Sequence, residues 1–212
     1  GVLFLDELPE FQRTVLEVLR QPLEDRNITI SRAKFTVNYP ASFMLVASMN
    51  PCPCGYYNHP DKACVCSPGV VQKYLNKISG PLLDRIDLHV EVTPVSFNEL
   101  SAISLGESSN EIRERVIAAR KIQEDRFEKN NGVHANAQIS SKILKEICEI
   151  NQNGKDLLKK AMDKLGLSAR AYDRILKVAR TIADLEKSEN IQTNHLAEAI
   201  QYRSLDREGW AG

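Results

Sequence analysis

The chain has 212 residues, which is enough for one good-sized domain or two small ones. Hydrophobic residues make up 42% and charged residues 26%, and this balance excludes a disordered or fibrous protein. The 28 basic and 28 acidic residues give a formal charge of zero, so a contact with nucleic acid requires a local basic patch.

The apolar runs of the chain are too short to cross a membrane. The longest are Val2–Leu5 and Met44–Ala47, whereas a membrane-spanning helix needs ~20 residues. Asp6 and Glu7 interrupt the first run, so it does not form the apolar region of a secretory signal. We therefore expect a cytoplasmic protein without a membrane partner. Because the chain begins at Gly1, on an apolar run, we also expect it to be a piece of a longer polypeptide.

Residues 1–97 mix short apolar runs with proline and glycine, which is typical of strands that alternate with helices. The runs at 2–5 and 42–48 predict strands that are buried on both faces of a parallel sheet. The other predicted elements are a helix over 9–22, a hairpin over 28–37, a loop over 49–68, a helix over 71–78 and a strand over 86–92. The residues expected at the centre of the core are Val2, Leu3, Phe4, Leu5, Leu45 and Val46.

Residues 98–212 have longer amphipathic segments and predict an all-helical domain, with a linker between residues 94 and 110. The residues that mark helix ends are Ser109 or Asn110, Ser140, Gly166, Ser168 and Thr193. The first helix is expected to bury a stripe of Ile112, Val116, Ala119 and Ile122.

Polar side chains follow both predicted parallel strands. Asp6 and Glu7 come directly after the first strand, and ligands of open α/β sheets bind at the carboxyl ends of the strands. One carboxylate can hold Mg²⁺ through water, and the next can orient a water toward a phosphate. Asn50 follows the second strand and can position the same water. The alternatives are an acidic turn for the pair and a turn former before Pro51 for the amide.

Four of the five cysteines fall within fifteen residues, in the spacing C-x-C-x9-C-x-C. They are Cys52, Cys54, Cys64 and Cys66. Four thiolates can form a tetrahedral zinc site of the structural type, and His59 in the same loop can replace one of them. The spacing within each pair is shorter than in common zinc knuckles, so the alternative is a loop of reduced thiols held by prolines. Cys148 lies on the apolar face of a predicted helix and is expected in the core.

Several long strings occur in a fixed order along the chain. They are GVLFLDE at 1–7, LDELPEF at 5–11, SMNPCPCG at 48–55, ISGPLLDRIDL at 78–88 and GLSARAYDRILKVARTIADL at 166–185. The first resembles the Walker B motif of AAA+ ATPases, and together they resemble the magnesium-chelatase-like branch, specifically the ComM/YifB family. The resemblance covers essentially the whole chain. It implies an α/β fold, with part of an AAA+ P-loop NTPase core over residues 1–97 and an all-α lid domain over residues 98–212.

The resemblance also implies roles at a site for ATP and Mg²⁺. Asp6 and Glu7 correspond to the Walker B pair, with Asp6 toward Mg²⁺, and Asn50 to the sensor 1 residue. Arg85, in Leu-Leu-Asp-Arg, corresponds to the arginine finger that reaches a neighbouring subunit's nucleotide. This role implies a homo-oligomeric ring, which we expect to be a hexamer. The local alternative is that Arg85 pairs with the aspartates that flank it.

Arg170 stands in the first turn of a predicted helix, two residues after the expected N-cap Ser168. A cation there opposes the helix dipole, unless a phosphate lies just beyond the helix end. The resemblance identifies Arg170 as the sensor 2 residue of the lid. Arg174, one turn later, is a second candidate for binding nucleotide, and its alternative is a solvated helix face.

The predicted hairpin carries Arg32 and Lys34 at its tip. The resemblance places such a hairpin toward the pore of a ring, where several basic tips together can contact a DNA backbone. The alternative is a solvated turn.

The phosphate-binding loop G-x-x-x-x-G-K-[ST] does not occur in residues 1–212. In the resembling family this loop precedes Walker B, so we expect it upstream of Gly1. The chain alone is therefore expected to bind ATP weakly and to hydrolyse it negligibly.

The function that these features favour is part of an ATPase that couples ATP hydrolysis to DNA remodelling of the ComM type, in branch migration or natural transformation. One alternative is a magnesium chelatase subunit that drives metal insertion into a porphyrin. The other is a zinc-stabilised interaction module without catalysis.

Overall fold

The computed structural model describes residues 1–92, 94–95, 106–129 and 132–203. Two compact units divide the chain after Ile86. The predicted boundary between residues 97 and 98 lies within residues 96–105, which are outside the described part of the chain. The boundary therefore stays a prediction. None of the helices in the described residues has the length and apolar character needed to cross a membrane.

The first unit contains a parallel pair of strands, β1 (Val2–Leu5) and β4 (Met44–Ala47). The strands are in register from Val2 opposite Met44 to Leu5 opposite Ala47. Both strands therefore end at the same edge, which confirms the α/β arrangement that the apolar runs predict.

An antiparallel hairpin lies between these strands in the chain. It consists of β2 (Asn27–Arg32) and β3 (Phe35–Pro40), joined by a two-residue turn with Arg32 opposite Phe35. The hairpin was correctly indicated by its β-rich runs, and its tip residues are exposed.

The single helix predicted over residues 9–22 is wrong. A 3-10 turn (Leu8–Glu10), α1 (Arg13–Val18) and α2 (Arg20–Asp25) occupy this stretch and its extension. The break lies at Leu19, whose N–H donates to the Leu16 carbonyl at 3.2 Å. Pro22 explains the interruption, because it has no N–H to continue the bonding pattern and is tolerated only near the start of a helix.

The core of the first unit lies among its helices rather than in its sheet. α3 (Pro68–Leu75) and α4 (Gly80–Leu83) contribute most of the buried residues, together with Leu8 and Leu16. The expectation that the strand residues form the central core is therefore wrong for this chain. Val2, Phe4 and Val46 are exposed, and Leu3, Leu5 and Leu45 are only half-buried. In the described residues, two paired strands alone cannot cover both of their faces.

The strand predicted over residues 86–92 is also wrong. The described residues form no ladder there; instead, the N–H of His89 donates to the Tyr202 carbonyl at 2.8 Å. The burial alternates in the opposite sense to the prediction, since His89 is buried whereas the apolar Leu88 and Val90 are exposed. Alternation alone does not make a strand when no neighbouring strand supplies hydrogen bonds.

The second unit is helical, as predicted. Its elements are α5 (Ser109–Phe127), a 3-10 turn (Asn136–Gln138), α6 (Ser141–Ile147), α7 (Gln152–Leu165), α8 (Ala169–Leu185) and α9 (Thr193–Gln201). Ser108 rather than Ser109 or Asn110 caps α5, in a capping box with Glu111. Gly166 ends α7 with φ of 61°, a left-handed conformation that favours glycine.

The core of the second unit gathers around α8. Leu158, Ile175, Ala183 and Leu196 are almost completely buried, and Cys148 is buried as predicted. The stripe predicted on α5 is only partly correct, because Ala119 is buried whereas Ile112 and Val116 are exposed. The described residues pack against the second half of α5, so its first half has no apolar surface to cover it.

Candidate functional site

The acidic edge of the sheet, Asp6 and Glu7, lies beside the end of β4. The carboxylate of Asp6 accepts a hydrogen bond from the Ser48 hydroxyl, and its Oδ1 also accepts the Glu7 N–H at 3.0 Å. The Leu8 N–H donates to the Ser48 carbonyl at 2.9 Å, which fixes the chain on both sides of the acidic pair. Both acids are exposed and can receive a ligand.

Glu7 has left-handed backbone angles, with φ of 50° and ψ of 51°. This conformation is uncommon for residues other than glycine, and such strain often accompanies function. The 3-10 turn that begins at Leu8, with Pro9 inside it, follows directly and turns the chain away from the sheet.

Asn50 is exposed and stands two residues after Ser48, beyond the end of β4. Its backbone contacts the Tyr74 hydroxyl, and Tyr74 itself is buried on α3. Burial raises the pKa of Tyr74, and the charges of Glu10 and Glu7 raise it further. The backbone of Asn50 thus lies beside a buried phenol.

The sequence pattern does not single out Ser48 or Tyr74. For Ser48 a signal exists, since in-register parallel strands that end in Leu5 and Ala47 place the next residues, Asp6 and Ser48, side by side. For Tyr74 the sequence holds no such signal, because its position depends on how α3 packs on the cysteine loop.

Arg85 is buried within the first unit, and its side chain is only 6% exposed. One guanidinium nitrogen pairs with the Glu24 carboxylate, and the other donates to the Pro81 carbonyl at 2.6 Å. Its partner is therefore Glu24 of α2, whereas the local alternative named the neighbouring aspartates. The role of an arginine finger stays a prediction.

Two further candidates, Arg170 and Arg174, lie on α8 in the second unit. Ser168 caps this helix as predicted, because its hydroxyl accepts the Ala171 N–H at 3.2 Å. Arg170 is exposed in the first turn, while Arg174 forms an ion pair with Asp87. The nucleotide contacts expected of Arg170 and Arg174 stay predictions.

The four cysteines of the loop form one cluster, which we call the thiol cluster. The sulfur of Cys52 lies 3.4 Å from that of Cys54 and 3.7 Å from that of Cys64, and Cys54 and Cys64 are 3.5 Å apart. Including Cys66, all four sulfur atoms lie within 4.8 Å of one another. A tetrahedral Zn²⁺ site with Zn–S bonds of about 2.3 Å requires sulfur separations of about 3.8 Å. The cluster therefore fits zinc.

Backbone amides point at the thiol cluster. The N–H of Tyr57 donates to the Cys52 sulfur at 3.3 Å, and hydrogen bonds, that of the Tyr56 backbone first, lower the pKa of Cys54 to about 6. Such donors stabilise thiolates, which are the form that binds metal. Burial and the neighbouring thiols raise the pKa of Cys64 and Cys66. His59 lies outside the cluster, because its Nδ1 accepts the N–H groups of Asp61 and Lys62 at 3.0 and 3.1 Å.

The hairpin tip exposes Arg32 and Lys34, and the apolar side chains of Ile30, Phe35 and Tyr39 are exposed nearby. Cations beside exposed rings suit a nucleic-acid backbone and its bases, although a solvated turn has the same appearance.

Comparison with known proteins identifies the family. The model of magnesium chelatase subunit ChlI matches residues 1–100, and the model of its C-terminal domain matches residues 106–203. The chain belongs to the magnesium-chelatase-like AAA+ family. It is 49% identical over 208 residues to the competence protein ComM of Haemophilus influenzae and 45% identical over 210 residues to YifB of Escherichia coli. Each alignment covers 98% of this chain and 40% of the relative, so the chain spans about two fifths of the length of these relatives.

Proposed function

We propose that this chain is part of a ring-forming ATPase that uses Mg²⁺ and ATP and acts on DNA. The observation that carries the proposal is the shared end of β1 and β4, where Ser48 orients Asp6 beside Glu7. Family membership supports ATP and Mg²⁺ as the ligands of this edge.

We assign a different role in ATP hydrolysis to each residue of the edge. Asp6, whose carboxylate accepts the Ser48 hydroxyl, would hold Mg²⁺ through a water molecule bound to the ion. Glu7 would orient and polarise the water that attacks the terminal phosphate, and Asn50 would hold that water. Mg²⁺, when bound, neutralises the charge that develops on the phosphate oxygens. The sensor 2 role that the resemblance implies for Arg170, at the start of α8, stays a proposal.

Glu7→Gln in the full-length polypeptide tests the catalytic assignment. Loss of the carboxylate should lower the ATP turnover number by about 10²-fold or more, while ATP binding is retained. Glu10→Gln is the matched control, because Glu10 is an exposed glutamate of the adjoining turn whose ion pair with Lys77 is long, at 3.5 Å. Unchanged turnover in Glu7→Gln would overturn the catalytic assignment of Glu7, whereas no turnover in the unmodified full-length polypeptide would favour the non-catalytic interaction module. Residues 1–212 alone should bind ATP weakly and show negligible turnover, and micromolar ATP affinity by calorimetry would refute the weak binding.

The DNA assignment is supported by the exposed hairpin tip and by the name of the competence relative. We expect DNA to stimulate the ATPase and Arg32→Ala/Lys34→Ala to weaken DNA binding and reduce its salt dependence. The control Lys159→Ala/Lys160→Ala removes two exposed lysines of α7 instead. Equal loss in both double variants would contradict the proposed surface.

A magnesium chelatase subunit is the second candidate function, because both matching family models describe that enzyme. It predicts co-purification with a porphyrin-handling partner and no stimulation by DNA. Either assignment requires a ring, which we propose to be a hexamer in the cytoplasm. Light scattering of the full-length polypeptide with and without ATP measures the subunit number.

We also propose that the thiol cluster binds one structural zinc ion. Metal analysis of residues 1–212 should give one zinc per chain, and Cys52→Ser should reduce it to near zero. Cys148→Ser is the matched control, since Cys148 lies in the core of the second unit. If the loop holds only reduced thiols, neither the unmodified protein nor Cys148→Ser should contain zinc.

A further inference from the structure

The guanidinium of Arg85 makes its contacts within its own unit. Its two terminal nitrogens contact the Glu24 carboxylate and the Pro81 carbonyl. Among the described residues its Nε is buried without a hydrogen-bond partner. In this conformer the side chain cannot reach a phosphate on another subunit, because only 6% of it is exposed.

The Glu24 side chain is different, since 46% of it is exposed. The ion pair therefore lies at the rim of the unit, with arginine inside and carboxylate at the solvent. Because the Glu24 carboxylate is half-exposed, water and salt screen its attraction for Arg85. A phosphate group carries more charge than a carboxylate and accepts two hydrogen bonds from a guanidinium. A phosphate arriving at this rim can thus compete for the nitrogen that Glu24 holds.

We propose that Glu24 is a positioning residue that keeps Arg85 withdrawn until a nucleoside triphosphate of the neighbouring subunit displaces it. The inference rests on the proposed ATPase function and on the predicted role of Arg85 as its arginine finger, and it adds a control of that site. Turnover would then depend on release of Arg85 from Glu24. Removing the charge of Glu24 weakens the competitor and leaves Arg85 without its counter-ion, so that Arg85 leaves its pocket more readily.

Mixed rings of the full-length polypeptide test this idea in the neighbouring subunit. Subunits with Glu7→Gln are expected to be inactive themselves but still to present Arg85 to unmodified neighbours. Doping rings with Glu7→Gln/Glu24→Gln should raise turnover per unmodified subunit at least about fivefold over doping with Glu7→Gln/Asp25→Asn. Asp25 is the matched control, because it is the next acid of α2 and is exposed. Adding Arg85→Ala to the first dopant should abolish the gain.

A second measurement does not depend on activity. Phenylglyoxal modifies accessible arginines, and mass spectrometry of the full-length polypeptide reports the modification of Arg85. We expect faster modification of Arg85 in Glu24→Gln than in Asp25→Asn, and in unmodified protein at high rather than low salt. The salt comparison retains its meaning if Glu24→Gln does not fold.

The outcomes are separable. Equal or lower turnover with the Glu24→Gln dopant, or equal Arg85 modification, would overturn the role of Glu24 while leaving the ATPase assignment intact. Full turnover in rings made only of Glu7→Gln subunits would instead overturn the proposed function.

Discussion

The two compact units of this chain bury their residues in different ways. The second unit surrounds α8 with apolar residues of every neighbouring helix and also encloses a polar network. In the first unit, the described residues bury helix surfaces and the thiol cluster but leave Val2 and Phe4 exposed, at 65% and 59%. The candidate catalytic residues lie at the end of this uncovered sheet.

The second unit contains a buried polar network, whereas the first unit carries the exposed candidate catalytic acids. In the second unit, Asp184 is completely buried and accepts hydrogen bonds from Arg126, Arg180 and Asn136. Burial lowers the pKa of Arg180, and the charge of Asp184 opposes this effect. Such a network fixes α8, the helix that carries Arg170. The first unit instead keeps its acids at an exposed edge where a ligand can approach.

The largest effect is expected from Asp184→Asn. The substitution removes the negative charge between two arginines and places an amide donor toward the Asn136 amide, which donates to Oδ2 at 2.7 Å. We expect a loss of about 3–5 kcal/mol in the free energy of unfolding of the second unit. Hydrogen exchange of α8 amides measures it. Asp156→Asn, an exposed site on α7, should change that free energy by less than about 0.5 kcal/mol. Equal losses of unfolding free energy in Asp184→Asn and Asp156→Asn would show that the network does not stabilise the second unit.

Within the first unit, a buried helix residue should contribute more to stability than an exposed strand residue. Leu16→Ala should cost about 2–5 kcal/mol because Leu16 is 1% exposed in the helix core. Phe4→Ala should cost less than about 1 kcal/mol in the chain of residues 1–212, although it removes more carbon, because most of the ring already contacts water. Denaturant titration of both variants gives the difference. A larger loss for Phe4→Ala would mean that the sheet, not the helices, holds this unit together.

Much of this architecture is predictable from the sequence, for local reasons. The hairpin, Gly166 at the end of α7 and Ser168 at the start of α8 follow from turn and capping chemistry over a few residues. The family strings identify the fold, and the spacing of the cysteines anticipates their cluster.

The parts that escape prediction depend on distant residues. The strand-like pattern around His89 cannot reveal that its N–H bonds to the carbonyl of Tyr202. Glu24 stands 61 positions before Arg85, and nothing in its local sequence marks it as the partner of that arginine. An apolar run is buried on both faces of a strand only where other elements cover both faces. The described residues do not cover both faces of β1.

A smaller effect is expected at the start of α8. Ser168→Ala removes the hydroxyl that accepts the Ala171 N–H and should cost about 1 kcal/mol in the stability of the second unit. Ser168→Gly should cost only a few tenths of a kcal/mol, because glycine lets water reach the free amides. Thermal unfolding of the two variants measures both. Equal losses would show that the serine side chain acts through another contact.

The smallest effect is expected from Glu17 on α1 and depends on pH. Its carboxylate accepts hydrogen bonds from the Ser79 hydroxyl at 2.5 Å and from Arg20 at 2.7 Å. These bonds, that of Ser79 first, lower the pKa of Glu17 below its ordinary value of 4.5. A carboxyl whose pKa is lower in the folded state stabilises that state fully above the ordinary value and loses the effect as pH falls through the lowered one. The difference in unfolding free energy between unmodified protein and Glu17→Gln should therefore be constant from pH 7 to about 5 and shrink below about pH 4. The same titration of Asp25→Asn is the control, and a difference for Glu17→Gln that grows toward acid pH would contradict the assigned bonds.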